Sequence, residues 1–390
     1  MKGATCLARG LAGASLMLCG VLGMDARAAE GASPACSPPT SVASTPEQTA
    51  WQLFVAATCP VNTVQYPYVT WQTWIEQNQL YGAGGAALAA GERPRFHMSP
   101  LAALLRAQAD AMGKDKKKGK AKDAKDAANA HARAALPDIA NQNCNSSTWS
   151  GRTICEEARL NPDAQQYIVA NGLNTRPGQV KFIEAGNVFK FPAPAVEIKA
   201  DWIQLGSCNN PPQGVHVENV GGTCYALGGI HLISKLIDKW IWATFEPQNT
   251  TTNPQRCKVL GCNDPWGSSP ATSQGASTQQ TAALKALMVQ ANLAPEWFNY
   301  RLDGVQVDFL DASGKPTRLG NSIIEGDNAG NPQAMAKSSC ITCHNLSSIN
   351  PAGNEQNPNF IIGAPQPPPS GYVLRDFVWS LTLALPPPSN

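Results

Sequence analysis

Residues 340–344 read Cys-Ile-Thr-Cys-His, and this motif constrains the chain more than any other feature because it makes three side chains converge on one group. Cys-x-x-Cys-His is the attachment motif of a c-type haem, in which both thiols form thioethers to the porphyrin and the histidine ligates the iron. We therefore predict that Cys340 and Cys343 anchor one haem c and that His344 is its proximal ligand.

A zinc half-site and a redox disulfide are the two alternative interpretations of the motif. A structural zinc site needs a second ligand pair at similar spacing, and the sequence contains no other Cys-x-x-Cys. A redox disulfide does not need the adjacent histidine, and it usually lies in a thioredoxin-like βαβ pattern that this sequence does not show. Haem attachment is therefore the favoured interpretation.

The first 28 residues have the composition of a secretory signal peptide. Lys2 and Arg9 form a short basic region, an apolar run follows over 11–24, and Ala26-Arg27-Ala28 is a cleavage motif of the A-x-A type. The apolar run is too short to span a bilayer, and no later stretch is long and apolar enough to be a transmembrane segment. We expect a chain exported to the periplasm that begins, after cleavage, with a proline-rich linker over 29–45.

Cysteine usage agrees with an oxidising compartment. Two cysteines lie in the signal region and two in the haem motif, which leaves eight, and an even number in an exported chain indicates disulfides. Pairing of sequence neighbours predicts the bridges Cys36–Cys59, Cys144–Cys155, Cys208–Cys224 and Cys257–Cys262. Other connectivities, and one or two free buried thiols, remain open from the sequence.

Hydrophobic periodicity predicts an α+β fold, with an antiparallel β-rich body, peripheral helices and a C-terminal haem segment. The strand candidates are rich in alternating, β-branched or aromatic residues and lie at 195–205, 224–233, 240–245 and 305–309. The helix candidates are a segment after the capping box Thr45-Pro46-Glu47-Gln48, short helices at 71–75 and after Ser99-Pro100, and a helix over 278–292. Gly228-Gly229 predicts a bulge or a close approach by a ligand or another backbone. The stretch 372–385 is a closing helix or a strand of the main sheet.

The domain organisation predicted from composition is a body over 46–330 followed by a haem-binding segment over 331–390. The segment is too short to enclose a haem alone, so we expect it to supply one wall and the β-rich body the other. A Lys/Ala-rich insertion over 106–135 interrupts the body. Its core, 114–126, holds seven lysines and three aspartates without an apolar stripe, as is typical of a solvated helix or loop.

The lysine-rich insertion is a weak argument for nucleic-acid binding. No aromatic residues interleave with its lysines, and the expected compartment holds no nucleic acid. The formal charge of the whole chain is only +2. A docking patch for an acidic redox partner is the alternative to a solvated loop.

A sixth iron ligand, where one exists, must precede the motif, because neither methionine nor histidine follows His344. The candidates are His97, Met98, His216 and His231. We favour His231, since it lies in a predicted strand beside two glycines that admit a porphyrin edge. A core histidine hydrogen-bonded to the backbone is the alternative. A filled sixth position favours electron transfer, and an open one lets small ligands reach the iron.

Seven stretches spread over 45–345 carry a further resemblance. They are Trp51-Gln-Leu-Phe-Val-Ala, Val196-Glu-Ile-Lys-Ala-Asp-Trp202, Gly229-Ile-His-Leu-Ile, Trp240-Ile-Trp-Ala-Thr-Phe-Glu246, Tyr300-Arg-Leu, Leu319-Gly-Asn-Ser-Ile-Ile-Glu325 and Ser338-Ser-Cys-Ile-Thr-Cys-His344. Together they resemble a group of exported bacterial single-haem c-type cytochrome proteins, which implies a haem protein of the periplasm and names no substrate. Pro247 departs from the group, in which a histidine follows Glu246.

Two functions compete on this basis. The leading hypothesis is electron transfer between the haem and a periplasmic redox partner protein, because no catalytic constellation accompanies the motif. The alternative is a peroxidase-like or small-ligand-activating enzyme, since the chain is longer than carrying one electron requires. His231 or His97 would then act as the acid/base, and Arg301 would stabilise charge. A surface or propionate-pairing role is the simpler interpretation of Arg301.

A binding or sensor module is a third hypothesis, motivated by ten tryptophans. Trp240 and Trp242 share one face of a predicted strand, and core or haem packing explains them more simply.

Overall fold

The computed structural model describes residues 33–61, 69–81, 144–146, 150–220, 223–248, 255–275, 277–328, 332–356, 362–363, 365 and 367–384, which belong to one compact unit, Ser33–Asn390. The predicted signal peptide, the insertion over 106–135, the helix after Ser99-Pro100 and the ligand candidates His97 and Met98 lie outside the described residues. Among the described residues, no helix is both long and apolar enough to cross a membrane.

The strands of the described residues are β1 Ile75–Glu76, β2 Asn145–Ser146, β3 Thr153–Leu160, β4 Val196–Gly206, β5 Val217–Val220, β6 Thr223–Ser234, β7 Ile241–Pro247, β8 Cys262–Asn263, β9 Ser268–Ser269, β10 Thr272–Ser273, β11 Gln279–Gln280, β12 Tyr300–Gln306, β13 Ser348–Ile349 and β14 Val373–Leu374. The α-helices are α1 Pro46–Thr58, α2 Gln77–Tyr81, α3 Pro162–Ala170, α4 Arg176–Glu184, α5 Ala282–Gln290 and α6 Cys340–His344. Short 3₁₀-helices are Pro34–Cys36, Thr70–Thr73, Pro295–Asn299, Pro332–Lys337 and Ser380–Leu383, and Ser322–Asn328 is a π-helix.

The body is an eight-stranded antiparallel sheet with helices around it, which confirms the α+β prediction. Its main path runs β1-β3-β4-β6-β7-β12, with β2 added to β3 and β5 added to β6. The predicted strands 195–205, 224–233 and 240–245 are β4, β6 and β7, which adjoin one another at the centre of the sheet. The strand predicted at 305–309 is partly wrong, because β12 ends at Gln306 and the chain then turns at Asp311, whose carbonyl accepts from Gly314 N.

The N-cap half of the predicted capping box is present at the start of α1, while Gln48 Oε1 accepts from Ser44 Oγ at 2.6 Å. Thr45 Oγ1 accepts a hydrogen bond from Gln48 N at 3.1 Å, and Pro46 occupies the first helical position, where its missing N–H costs nothing. The helix predicted at 71–75 is partly wrong. A 3₁₀ turn over Thr70–Thr73 is followed by β1, because Ile75 pairs with Leu160 at the edge of the sheet. Tertiary pairing therefore overrides the helical spacing there.

The two faces of the central strands differ in chemistry. One face is apolar and packs beneath α1, where Phe54 stacks on Phe245 with ring centroids 4.4 Å apart. On the other face, Lys199, His231 and Thr244 lie directly opposite one another on β4, β6 and β7. Polar groups in the middle of a sheet need partners when they are buried. Segments after β12 supply those of His231 and Thr244, and β3 supplies that of Lys199.

Gly228 and Gly229 lie where neighbouring side chains approach the strand. The register of β4 and β6 shifts between Asp201 and Trp202, opposite these glycines. A Cβ at Gly228 would lie 2.8 Å from Ile203 Cδ1, and one at Gly229 would overlap the side chain of Asn321. The predicted bulge is present, whereas the close approach is made by side chains and not by a ligand or another backbone.

All four predicted disulfides are present, namely Cys36–Cys59, Cys144–Cys155, Cys208–Cys224 and Cys257–Cys262. Cys340 and Cys343 are the free cysteines of the described residues. The stretch 372–385 is neither a closing helix nor a strand of the main sheet. It contains β14, which pairs with β13, and the 3₁₀-helix Ser380–Leu383. A tight turn after Leu374 separates these two short elements and prevents one continuous element.

Candidate functional site

The short helix α6 places Cys340, Cys343 and His344 on one face, because positions i, i+3 and i+4 are neighbours on a helix surface. Ser339 precedes the helix, and Gln306 Nε2 of β12 donates to its hydroxyl at 3.0 Å. Ile341 is fully buried and faces the core instead. The motif therefore lies on the sheet with its three functional side chains directed together.

The two motif thiols are protonated near neutral pH. Burial raises the pKa of Cys343 to about 12 and that of Cys340 well above its ordinary value, and the negative charge of Glu325 acts in the same direction. A nucleophilic or redox-active cysteine needs the opposite shift, because the thiolate is its reactive form. These surroundings do not favour the alternative of a redox dithiol.

His344 is oriented by the backbone of the C-terminal segment. Its Nδ1 lies 2.7 Å from the carbonyl oxygen of Phe377, and since a carbonyl only accepts, Nδ1 carries the hydrogen. Nε2 is then the nitrogen left for ligation. The Trp242 ring lies against the imidazole, with centroids 4.5 Å apart. Burial lowers the pKa of His344 to about 3, so the imidazole stays neutral, as a metal ligand must be.

His231 is held by a carboxylate. Its Nε2 lies 2.8 Å from Glu325 Oε1. Burial alone would raise the pKa of Glu325, but the neighbouring His231 and Lys199 lower it below its ordinary value, so Glu325 is ionised and accepts the bond. His231 Nδ1 is buried and has no hydrogen-bond partner within the described part of the chain. The alternative of a core histidine bonded to the backbone is therefore not what the structure contains.

The candidate site consists of Cys340, Cys343, His344, His231, Glu325 and Lys199. The charges of Glu325 and Lys199 act on the pKa of His344 and of both thiols, and His231 contacts Glu325, so the six residues lie in one neighbourhood. Lys199 lies opposite His231 on β4 and bonds Glu156 at 2.7 Å. The histidine favoured from sequence thus lies in the same region as the motif.

Two other sequence candidates lie in different environments. His216 is buried, stacks on Trp297 with centroids 4.7 Å apart and bonds Glu218 and Glu296, so its imidazole has partners of its own. Arg301 is neither a surface residue nor part of the candidate site. Its guanidinium donates to backbone carbonyls, those of Phe298, Tyr300 and Thr278, and burial lowers its pKa to about 10.

Sequence reasoning missed three groups of this neighbourhood. Lys199 lies on the polar side of the alternating pattern over 195–205, and alternation along one strand cannot show that a second layer covers that side. Glu325 lies in one of the quoted stretches, but nothing local connects it with a histidine far away in sequence. Phe377 contributes only its carbonyl oxygen, which no side-chain pattern reveals.

The residues present fit the group that the motif predicts. Among the described residues, two thiols outside any disulfide and one neutral imidazole share a helix face, and a second imidazole nearby has a buried nitrogen without a hydrogen-bond partner. No protein-family model matches the chain, and comparison with curated proteins and with solved structures also finds no match. The function has to be inferred from the residues themselves.

Proposed function

We propose that this protein is an exported c-type cytochrome that holds one covalent haem at Cys340 and Cys343 and exchanges electrons with a redox partner protein in the periplasm. One observation carries the proposal. The two free thiols and the Nε2 atom of His344 are presented by one face of α6, while the Phe377 carbonyl takes the other nitrogen of the imidazole.

Each residue of the candidate site has a defined task under this proposal. Cys340 and Cys343 form the thioethers, and His344 supplies the proximal ligand through Nε2. His231 is the candidate distal ligand, and its free Nδ1 is the available atom because Glu325 occupies Nε2. A haem bound in this way supplies one-electron oxidation and reduction. The protein's part is to anchor the group, orient the imidazoles and exclude water.

The disulfides support the proposed compartment. The described residues contain four bridges, and such bridges persist in oxidising environments such as the periplasm. Haem is attached to this motif in the same compartment when the chain is exported through a signal peptide, as the first 28 residues predict.

The attachment is tested by producing the full chain with a c-type maturation system and staining for haem after denaturing electrophoresis. We expect haem to stay on the wild-type chain and to be lost from the Cys340→Ala/Cys343→Ala double variant. The matched control is Cys257→Ser/Cys262→Ser, which removes two cysteines away from α6 and should keep the haem. A wild-type chain that folds, forms its disulfides and carries no haem would overturn the proposal.

A peroxidase-like enzyme is the second candidate, and the His231–Glu325 pair favours it. A histidine oriented by a carboxylate is a common arrangement for general acid/base catalysis. Arg301, the charge-stabilising partner considered from sequence, bonds backbone carbonyls instead. Peroxide turnover well above that of free haem, lost in His231→Leu, would favour this candidate over electron transfer.

A further inference from the structure

A tight turn over 375–378 has an unusual backbone. Val378 N donates to the carbonyl of Arg375 at 3.0 Å, and both central residues, Asp376 and Phe377, have positive φ angles, 50° and 68°. Turns of this kind favour Gly, Asn and Asp, so the conformation suits Asp376 and strains the bulky Phe377. Such a conformation persists only where the surroundings impose it, so contacts around the turn must hold Phe377 in place.

A buried ion pair imposes the conformation. Asp376 Oδ1 accepts from Lys235 Nζ at 2.7 Å, and the other carboxylate oxygen accepts from Phe191 N at 2.7 Å. Lys235 and Asp376 are only 5% and 8% exposed, and Lys235 Nζ also bonds the carbonyl of Asp238. Because a buried charge without its partner is costly, this clamp strongly resists rearrangement of the turn.

The clamped turn presents one atom to the candidate site. The carbonyl oxygen of Phe377, the second central residue, accepts the hydrogen of His344 Nδ1 at 2.7 Å. The φ angle of Phe377 helps to set the direction in which this carbonyl points. An acceptor on the second nitrogen of a ligating imidazole fixes its orientation and makes it a stronger electron donor.

We propose that the Lys235–Asp376 ion pair is a positioning device that holds the Phe377 carbonyl on His344 and thereby lowers the reduction potential of the bound iron. A more basic imidazole stabilises the oxidised iron, and this lowers the reduction potential. This last step rests on the proposed haem function, whereas the hold on His344 exists without it.

The variants are chosen to remove the clamp from either side. Asp376→Ala removes the carboxylate and introduces a residue that disfavours positive φ. Lys235→Met keeps every residue of the turn itself and removes only the cation that pairs with Asp376. Asp376→Asn keeps an acceptor and tolerates the left-handed conformation, so it should rescue in part. The matched control is Lys239→Met, because Lys239 pairs with Asp308 at the surface and not with the turn.

The first measurement is ¹⁵N NMR of the His344 imidazole in the haem-free full chain. We expect the Nδ1-protonated tautomer in wild type, and in Asp376→Ala and Lys235→Met about tenfold faster exchange of that proton, equivalent to ~1.4 kcal/mol. Where Asp376→Ala fails to fold, Lys235→Met and Asp376→Asn decide. Unchanged exchange in the variants that fold would overturn the proposal.

The second measurement is the midpoint potential of the haem-loaded full chain. It should rise in Asp376→Ala and Lys235→Met, rise less in Asp376→Asn and stay constant in Lys239→Met. A wild-type chain without haem would defeat the proposed function alone, since the NMR result stands independently. Constant potentials in variants whose imidazole proton has been freed would overturn the link between the clamp and the iron.

Discussion

His231 and Glu325 are 94 residues apart in sequence, and His231 Nε2 lies 2.8 Å from Glu325 Oε1. The contact joins β6 to the π-helix Ser322–Asn328. On the neighbouring strand, Lys199 lies opposite His231 and bonds Glu156 at 2.7 Å. The pairs His231–Glu325 and Lys199–Glu156 therefore lie side by side on one face of the sheet, next to the motif. Each pair gives a buried charged group a partner, and such a group would be costly to bury alone.

His231 is expected to decide whether small ligands reach the iron. In wild type we expect a low-spin reduced spectrum that carbon monoxide leaves unchanged, because His231 Nδ1, which has no partner among the described residues, would fill the sixth position. His231→Leu should give a spectrum that shifts on adding carbon monoxide. His216→Gln, which changes a buried histidine with other partners, should behave as wild type. A carbon monoxide shift already in wild type would contradict this assignment.

Glu197 makes stability depend on pH. Burial raises its pKa from 4.5 to about 7, with Glu156 adding to the shift and the Ser380 hydrogen bond opposing it. Between pH 4.5 and about 7 the Glu197 carboxyl keeps a proton in the folded protein that it has lost in the unfolded chain. Stability therefore falls as pH rises through this window, by up to ~3 kcal/mol.

The measurement is the urea-unfolding free energy on both sides of that window. The decrease in stability from the acidic to the neutral side should be smaller in Glu197→Gln, which stays neutral, than in wild type. Asp308→Asn serves as the control, because the pKa of this exposed carboxyl is lowered by Lys239 and its titration lies below the window. An equal pH dependence in Glu197→Gln and wild type would refute the prediction.

The four disulfides should contribute according to the loops that they close. Cys36–Cys59 spans 23 residues and ties Pro34–Cys36 to the end of α1, whereas Cys257–Cys262 spans 5. Loop entropy predicts a loss of about 3 kcal/mol for the Cys36→Ser/Cys59→Ser variant and about 2 kcal/mol for Cys257→Ser/Cys262→Ser. Unfolding free energies of both double variants test the order. A larger loss for the short loop would show that packing at Cys257–Cys262 outweighs loop entropy.

Gly229→Ala should destabilise the protein by about 1–3 kcal/mol, because its Cβ would overlap the Asn321 side chain. Asn321 Nδ2 donates to Thr244 Oγ1 at 2.8 Å, and its Oδ1 accepts from Ile323 N at 2.9 Å, so this side chain joins β7 to the start of the π-helix. A thermodynamic cycle with Asn321→Ala checks the cause. The substitution at Gly229 should cost less once the Asn321 side chain has been removed, and an additive result would exclude this explanation.

Local patterns predicted the centre of the sheet well. The strands predicted at 195–205, 224–233 and 240–245 correspond to β4, β6 and β7, where the hydrophobic alternation of half-buried strands is strong. The cap of α1 was also evident, because Thr45 and Pro46 act on their own helix. By contrast, β3 was missed. Glu156 and Glu157 interrupt its apolar pattern, and both are buried with partners on β4, Lys199 for Glu156 and Trp202 Nε1 for Glu157.

The sequence by itself determined the residues that we propose attach a haem, because their spacing along one helix is a local property. It also predicted the disulfide pairs that the structure contains, since each joins neighbours in the order of cysteines, but it left other connectivities open. Only the tertiary structure decided what surrounds the motif. The π-helix Ser322–Asn328 packs on β6 and brings Glu325 to His231. The Phe377 carbonyl reaches His344 from a turn that the Lys235–Asp376 ion pair holds. A backbone acceptor and a contact between distant residues leave no periodic signal, so packing alone brings them to the site.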